Sequence, residues 1–265
     1  MAAGAQATGR PRLARVGKLG ASAAIGASLS ALVVDLGRPA RFLNMLRVFK
    51  PTSPMSVGTW LLAAYTPLNV AASASELSGV APRAGRAAAA GAGLLGPAVA
   101  TYTAALIANT AVPAWHGARR ELPYLFAGSA AAAAGGLAML AAPPVESSPA
   151  RRLAILGAAG ELIASAQMEH NLGMVAGALR EEPARGRLRA ARALTLGGAL
   201  AAAAAGRRRD GAVLSGAALL AGSALTRFGV FAAGMASARD PRYRVEPQRR
   251  RLDAGAPARP DTDAA

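Results

Sequence analysis

The chain has 265 residues, of which 53% are hydrophobic and only 17% charged, and it contains no cysteine. A soluble domain carries about 25% charged residues, so this composition excludes a water-soluble globule. Zero cysteine likewise excludes a disulfide scaffold, a Cys-ligated zinc site and an iron–sulfur cluster held by this chain. The apolar content is mostly Ala, Leu, Gly and Val, with aromatics at 4%, as in membrane helices whose small residues let backbones approach. The fold class is therefore read as all-α, a polytopic transmembrane helix bundle. The net charge of +16 resides in the gaps between apolar runs and in the C-terminal tail. No aromatics are interleaved there to stack on bases, so membrane topology is expected and nucleic-acid binding is not.

A bilayer crossing needs about 20 apolar residues. In chain order, seven stretches qualify: 16–34, 55–75, 87–108, 122–141, 152–173, 190–206 and 211–236. The first, with its basic start, also has the form of a signal peptide. Because it runs straight into a polar motif at Asp35, a retained helix is expected. The fifth carries Glu161, Gln167, Glu169 and His170, which a bundle tolerates if they face inward. Residues 207–209, all arginine, and Asp210 make a tight turn between the last two. Residues 1–239 are thus read as the bundle and 240–265, rich in Pro, Arg and Asp, as a disordered basic tail.

With seven spans, the side bearing the N-terminus holds 11 Lys and Arg and the opposite side 18. The excess places the C-terminal side in the cytoplasm. The N-terminus would then lie outside, although its first eighteen residues are basic.

The most informative stretch is Asp35 to Trp60, DLGRPARFLNMLRVFKPTSPMSVGTW. An acid and an arginine close one helix. Next comes an amphipathic segment with Phe42, Leu43, Leu46, Val48 and Phe49 on its apolar face and Arg41, Arg47 and Lys50 on its basic one, suited to the membrane interface. Ser53-Pro54 then opens a new helix with a capping hydroxyl and a pre-set first turn. A second block runs from Gly96-Pro97 through Thr101-Tyr102-Thr103 and Asn109 to Pro113-Ala114-Trp115-His116. It continues into Arg119-Arg120-Glu121-Leu122-Pro123 and Phe126-Ala127-Gly128-Ser129.

These two blocks resemble the NrfD/PsrC-type family, the integral membrane subunits of polysulfide-reductase-like molybdopterin oxidoreductase complexes. Family members usually begin with one further, Gly-rich helix that has no counterpart here. A shortened form of an eight-span protein is therefore expected, which would also relieve the orientation strain. The resemblance implies a membrane anchor that exchanges electrons between menaquinone or ubiquinone and an iron–sulfur, ferredoxin-like subunit, which in turn serves a molybdopterin catalytic subunit. It also implies a location in the cytoplasmic membrane and no haem in this chain. Independently, two histidines are too few for a haem ladder, so redox chemistry belongs to a diffusible quinone or to a partner.

Candidate quinone-binding residues are Tyr102, Asp35, Arg38, Asn109 and His116. Asp35 and Arg38 are three apart and can pair, a mid-span Tyr102 hydroxyl needs a partner, and an imidazole near the interface, as at His116, suits proton exchange with quinol. Candidate proton-transfer residues are Glu161, Glu169 and His170. Glu161 is an acid mid-span, where an ionisable group marks function, and spacings of eight and nine residues from it put Glu169 and His170 on the same side of a helix. Arg227 is a possible partner for Glu161. Trp115 is expected in an interfacial belt, and Arg119, Arg120 and Glu121 in a topological or docking patch. No metal-ligand spacing and no phosphate loop is visible. The alternatives are a secondary transporter, with Pro67 and Pro97 as helix breakers, and a purely structural anchor.

Overall fold

The computed structural model describes residues 1–38, 40–246 and 249, and within them not the side chains of Ala40, Phe42 and Leu43. The apolar stretches fold as long helices. In chain order the helices are α1 (Ala2–Ala7), α2 (Pro11–Asp35), α3 (Ala40–Met45), α4 (Pro54–Ser78), α5 (Pro82–Ala108), α6 (Pro113–Gly117), α7 (Leu122–Ala141), α8 (Ser148–Asn171), α9 (Ala184–Ala205) and α10 (Arg209–Arg239), with a 3-10 segment at Gly173–Arg180 between α8 and α9. No strand occurs among the described residues. The chain is an all-α polytopic bundle.

Seven helices have spanning length, yet only α2, α5, α7 and α10 are also apolar enough to cross a membrane on composition alone. The seven crossings that the apolar runs led us to expect are thus only roughly matched by composition. The other three owe their polarity to residues the bundle uses. Examples are Asn69, Ser73 and Glu76 on α4, Glu161 and Glu169 on α8, and Arg185, Arg189 and Arg192 on α9.

Helix boundaries follow from local chemistry. Proline occupies the first turn of α2, α4, α5, α6, α7 and α8, where a missing N–H costs nothing. Ser53 caps α4 as expected, accepting from the Ser56 amide. Gly79 ends α4 at φ 71°, a left-handed conformation that glycine adopts without a side-chain penalty. Pro67 and Pro97 lie inside α4 and α5 without ending either helix. The expected interfacial segment is helical only through α3. Beyond it, Trp60 Nε1 donates to the Val48 carbonyl, and the Trp60 ring meets Phe49 edge-on at 6.2 Å, tying the loop to α4.

The seven long helices alternate in direction. α4 pairs with α5, α7 with α8, and α9 with α10, while α7 also packs on α10 and α5. Small residues set these approaches. A Cβ at Gly128 would come 2.5 Å from the Glu161 amide nitrogen, and one at Gly135 equally close to the Ala150 carbonyl oxygen. Gly136 faces Gly216 across α7 and α10, and Gly222 faces Thr195 across α10 and α9. Gly216 and Gly222 thus both sit in close helix contacts. Gly91 touches Leu68, while Gly96 meets nothing.

Helix α2 is held differently, by polar groups. Buried Lys18 and exposed Arg15 both pair with Glu76, at 3.0 and 3.1 Å. Ser22 meets Ser73 at 2.7 Å and accepts from Asn69, and Ser73 donates to the Lys18 carbonyl. Such contacts hold membrane helices together where apolar burial gives no drive.

The first residues of the expected tail are ordered against the bundle. Residues 242–246 are helical, and Tyr243, 8% exposed, donates to Glu181 at 2.8 Å. The remaining tail, apart from residue 249, lies outside the described residues.

Gly135→Ala should destabilise the bundle by about 1–3 kcal/mol through overpacking. Gly197→Ala, where a Cβ meets nothing within 4 Å, should cost nothing measurable; thermal unfolding in detergent compares the two. Burial and the Glu181 hydrogen bond push the Tyr243 phenol up to about 12 from 10.0. The docked state favours the protonated phenol, so its contribution is complete below pH 10 and is lost as pH rises through about 12. A tyrosinate absorbance step at that high pH, absent in Tyr243→Phe, is expected.

Candidate functional site

The alternation of helices brings the candidate residues to one end of the bundle. The C-termini of α2, α5, α8 and α10 and the N-termini of α4, α7 and α9 share that end. Asp35, Arg38, Asn109, His116, Glu169 and His170 all lie there. Tyr102 sits two turns inward on α5, and Glu161 deeper still on α8.

The quinone candidates are close in level but differ in setting. Tyr102 is half-buried, and its ring packs on Gly58 of α4, where a Cβ would come 2.5 Å from it. Asn109 follows α5 as its exposed C-cap. His116, exposed on α6, donates from Nδ1 to the Ala108 carbonyl at 3.2 Å. That bond ties α6 back to the end of α5. Asp35 and Arg38 are both exposed, and no ion pair joins them among the described residues. Gly37, at φ 69° between them, turns the chain out of the helical path that three-residue pairing needs.

The proton-transfer candidates divide. Glu161 is 3% exposed and accepts from the Thr226 hydroxyl of α10, while its Oε2 has no partner. One turn on, Ser165 accepts from Arg192 of α9 at 3.1 Å. A further turn on, Glu169 forms a 2.6 Å ion pair with the same Arg192. Glu161, Ser165 and Glu169 therefore form one stripe at intervals of four. A small void of about 10 Å³ lies among Glu161, Ser165, Arg192 and Thr226. His170 is exposed, and it takes no part in this stripe.

Ser165, Arg192 and Thr226 escaped sequence reading. For Ser165 a signal existed, since it is four residues from both acids. Arg192 and Thr226 lie on other helices, and no spacing along α8 reveals them.

Arg227 is the next residue on α10. It donates to Ser223 at 2.9 Å and Ser129 at 3.2 Å, and its guanidinium lies 5.2 Å from the Phe126 ring centroid. Arg227 is not among the ion pairs within 4.0 Å, so Glu161 has a hydroxyl partner where a guanidinium was considered. Arg227 and Ser223 also line a large apolar groove of about 670 Å³ between α2, α4, α5 and α7. Tyr65, Asn69 and Thr101 contribute its other polar atoms, together with Lys18. Thr101 adjoins Tyr102 in sequence, so the groove rises to the level of that tyrosine.

Two surface expectations are corrected. Trp115 donates from Nε1 to the Val230 carbonyl at 2.9 Å and packs on Phe231 and Gly234 of α10. It is a wedge between α6 and α10 where a belt residue was expected. Glu121 is buried and accepts from Asn171 at 2.7 Å, joining the α7 start to the α8 end, so only Arg119 and Arg120 of the expected patch are exposed.

A family model described as polysulphide reductase, NrfD, matches residues 2–151. No curated protein matches the chain significantly.

Thr226→Val should leave Glu161 with neither oxygen satisfied and cost about 1–3 kcal/mol. The double variant Thr226→Val/Glu161→Met, which removes both partners, should recover most of that loss. Chemical unfolding in detergent micelles reads both; equal destabilisation by the two variants contradicts the assignment.

Proposed function

Because the chain belongs to the NrfD family, membrane subunits of polysulfide-reductase-like complexes, we propose that it is the quinone-interacting anchor of a respiratory molybdopterin oxidoreductase. In this reading it passes electrons between membrane quinone and an iron–sulfur, ferredoxin-like subunit that serves a molybdopterin catalytic subunit. It resides in the cytoplasmic membrane.

The observation that carries the proposal is a large apolar groove bordered by Arg227, whose neighbour on α10, Thr226, holds Glu161 at the inner end of the polar stripe. The groove suits a prenylated ring: about 670 Å³, walled mostly by Ala and Gly, and furnished with a few hydroxyl and amide groups, as ligand sites commonly are. Thr101 lines its upper level, and the hydroxyl of Tyr102, the next residue on α5, would donate to the carbonyl of a ring that reaches this level. His116 and Asn109 lie beyond Tyr102 toward the aqueous end, with Asp35 and Arg38 on the same side, where protons can pass to water. Quinol supplies two electrons and two protons when oxidised; the chain's own task is to orient the ring and handle the protons.

On the inner side, Arg227 borders the groove, and Thr226 beside it holds Glu161. Glu161 has a free oxygen to receive a proton, and Ser165 with the Glu169–Arg192 pair extends the line to the bundle end. Glu161 and Glu169 are the proton carriers in this reading, and His170 is a surface acceptor beside them.

A purely structural anchor is the second reading, favoured by the exposure of Asp35, Arg38, Asn109 and His116. Affinity purification of the tagged protein from its native membrane separates the two. Iron–sulfur and molybdopterin subunits co-purifying with quinone are expected; a complex free of quinone supports the structural reading. In the purified complex, Glu161→Gln keeps an acceptor for Thr226 but cannot carry a proton. Quinone-linked turnover should fall at least tenfold, in line with a lost proton-transfer group, with the catalytic subunit's activity toward artificial dyes unchanged.

A further inference from the structure

Outside the groove and the buried stripe, the bundle end carries a second cavity of about 400 Å³ between α8, α9 and the 3-10 segment. Arg180, Arg185, Arg189 and Arg192 line it, and Glu169 is the one carboxylate among its lining residues. Glu169 already pairs with Arg192 at 2.6 Å, which leaves Arg180, Arg185 and Arg189 at the cavity with no ion-pair partner among the described residues. Like charges gathered in this way repel unless an anion joins them. Planar guanidinium forks fit phosphate oxygens two at a time.

The stripe continues along α9 in a telling order. Residues 185, 189, 192, 196 and 200 follow intervals of four, three, four and four, so they share one helical face. Arg185, Arg189 and Arg192 occupy its outer part, and Leu196 and Leu200, 50% and 62% exposed, its inner part. In a membrane protein this places a basic pocket at headgroup level directly above an apolar strip at acyl-chain depth. A soluble anion needs the first and has no use for the second.

We propose that this face of α9, with Arg180, is a binding site for an anionic phospholipid, its phosphate held by Arg185 and Arg189 and its chains lying on Leu196 and Leu200. The recognised chemistry is a phosphate with net negative charge, as basic pockets between membrane helices bind. The site does not depend on the quinone reading, and it uses side chains which that reading leaves idle, except Arg192.

The full-length protein, delipidated in detergent, tests the proposal by native mass spectrometry and thermal shift against three probes: phosphatidylglycerol, phosphatidylcholine and inorganic phosphate. Phosphatidylglycerol should be retained and stabilise the protein, while phosphatidylcholine and inorganic phosphate at equal phosphorus should do neither. Arg185→Gln/Arg189→Gln should weaken phosphatidylglycerol binding about thirtyfold, at roughly fivefold per arginine. Arg207→Gln/Arg208→Gln at the opposite end should leave it unchanged. Arg185→Lys/Arg189→Lys, which keeps the charge but not the guanidinium fork, should bind between the unchanged protein and the glutamine variant, which shows that the glutamine variant's loss is one of charge and not of folding. Equal binding by both glutamine variants overturns the site. Equal stabilisation by inorganic phosphate overturns the lipid as its ligand. Absence of any bound lipid while an acidic protein co-purifies through these arginines overturns it in favour of a docking surface.

Discussion

The structure depends on the backbone-to-backbone approach of α7 with α8 and α10. Lipid surrounds such helices with an environment as apolar as their own side chains, so the drive to associate comes from close packing and from hydrogen bonds. Gly128 and Gly135 press against α8, and Gly136 against Gly216 of α10. Large side chains at these points would separate the helices by several ångströms. Every polar contact at the centre of the bundle is within reach only because they are absent.

Those polar contacts are what the approach makes possible. Glu161 lies opposite Gly128, its backbone nitrogen 2.5 Å from where a Cβ would stand. The same closeness lets Ser129 and Ser223 bond at 2.8 Å and accept from Arg227. An acid and an arginine inside a bilayer are costly unless they have partners, and the hydroxyls of Thr226, Ser129 and Ser223 supply them. Ser165 and Arg192 carry the sequence of partners outward to Glu169, so that one free carboxylate oxygen, on Glu161, is left at the inner end.

The ends of the bundle are built from different materials. On the α1 side, Lys18, Arg15 and Glu76 hold α2 to α4 through charges. On the opposite side, Trp115 wedges against α10, Glu121 receives Asn171, and Tyr243 closes on Glu181. These bonds fix the loops over the α7–α10 core and leave the α2–α5 region to be shaped by the groove. The arginines of α9 fall at this same end, where a helix that is weakly apolar by composition meets the polar boundary of the membrane.

Much of this was legible in the chain itself. Apolar runs at spanning length located all seven long helices, because a lipid-facing or buried helix has to be apolar over its whole length. Ser53-Pro54 marked the start of α4, because caps act within a few residues. The two motif blocks pointed to the family that the match over residues 2–151 bears out. The level of each candidate along the membrane normal also follows from sequence, since alternating helices fix it.

Which groups meet across helices did not follow from the sequence. Asp35 and Arg38 had the right spacing to pair, and the turn at Gly37 separates them. Glu161 was legible as an anomaly, but its partner proved to be Thr226 with Arg227 one step aside. Glu169 lay on the expected face and His170 proved exposed, because one residue of helix is a rotation of about 100°. Trp115 and Glu121 read as surface residues and are wedged or buried. Spacing along one helix determines a face, while the glycine seams, acting at a distance in sequence, decide which other helix that face touches.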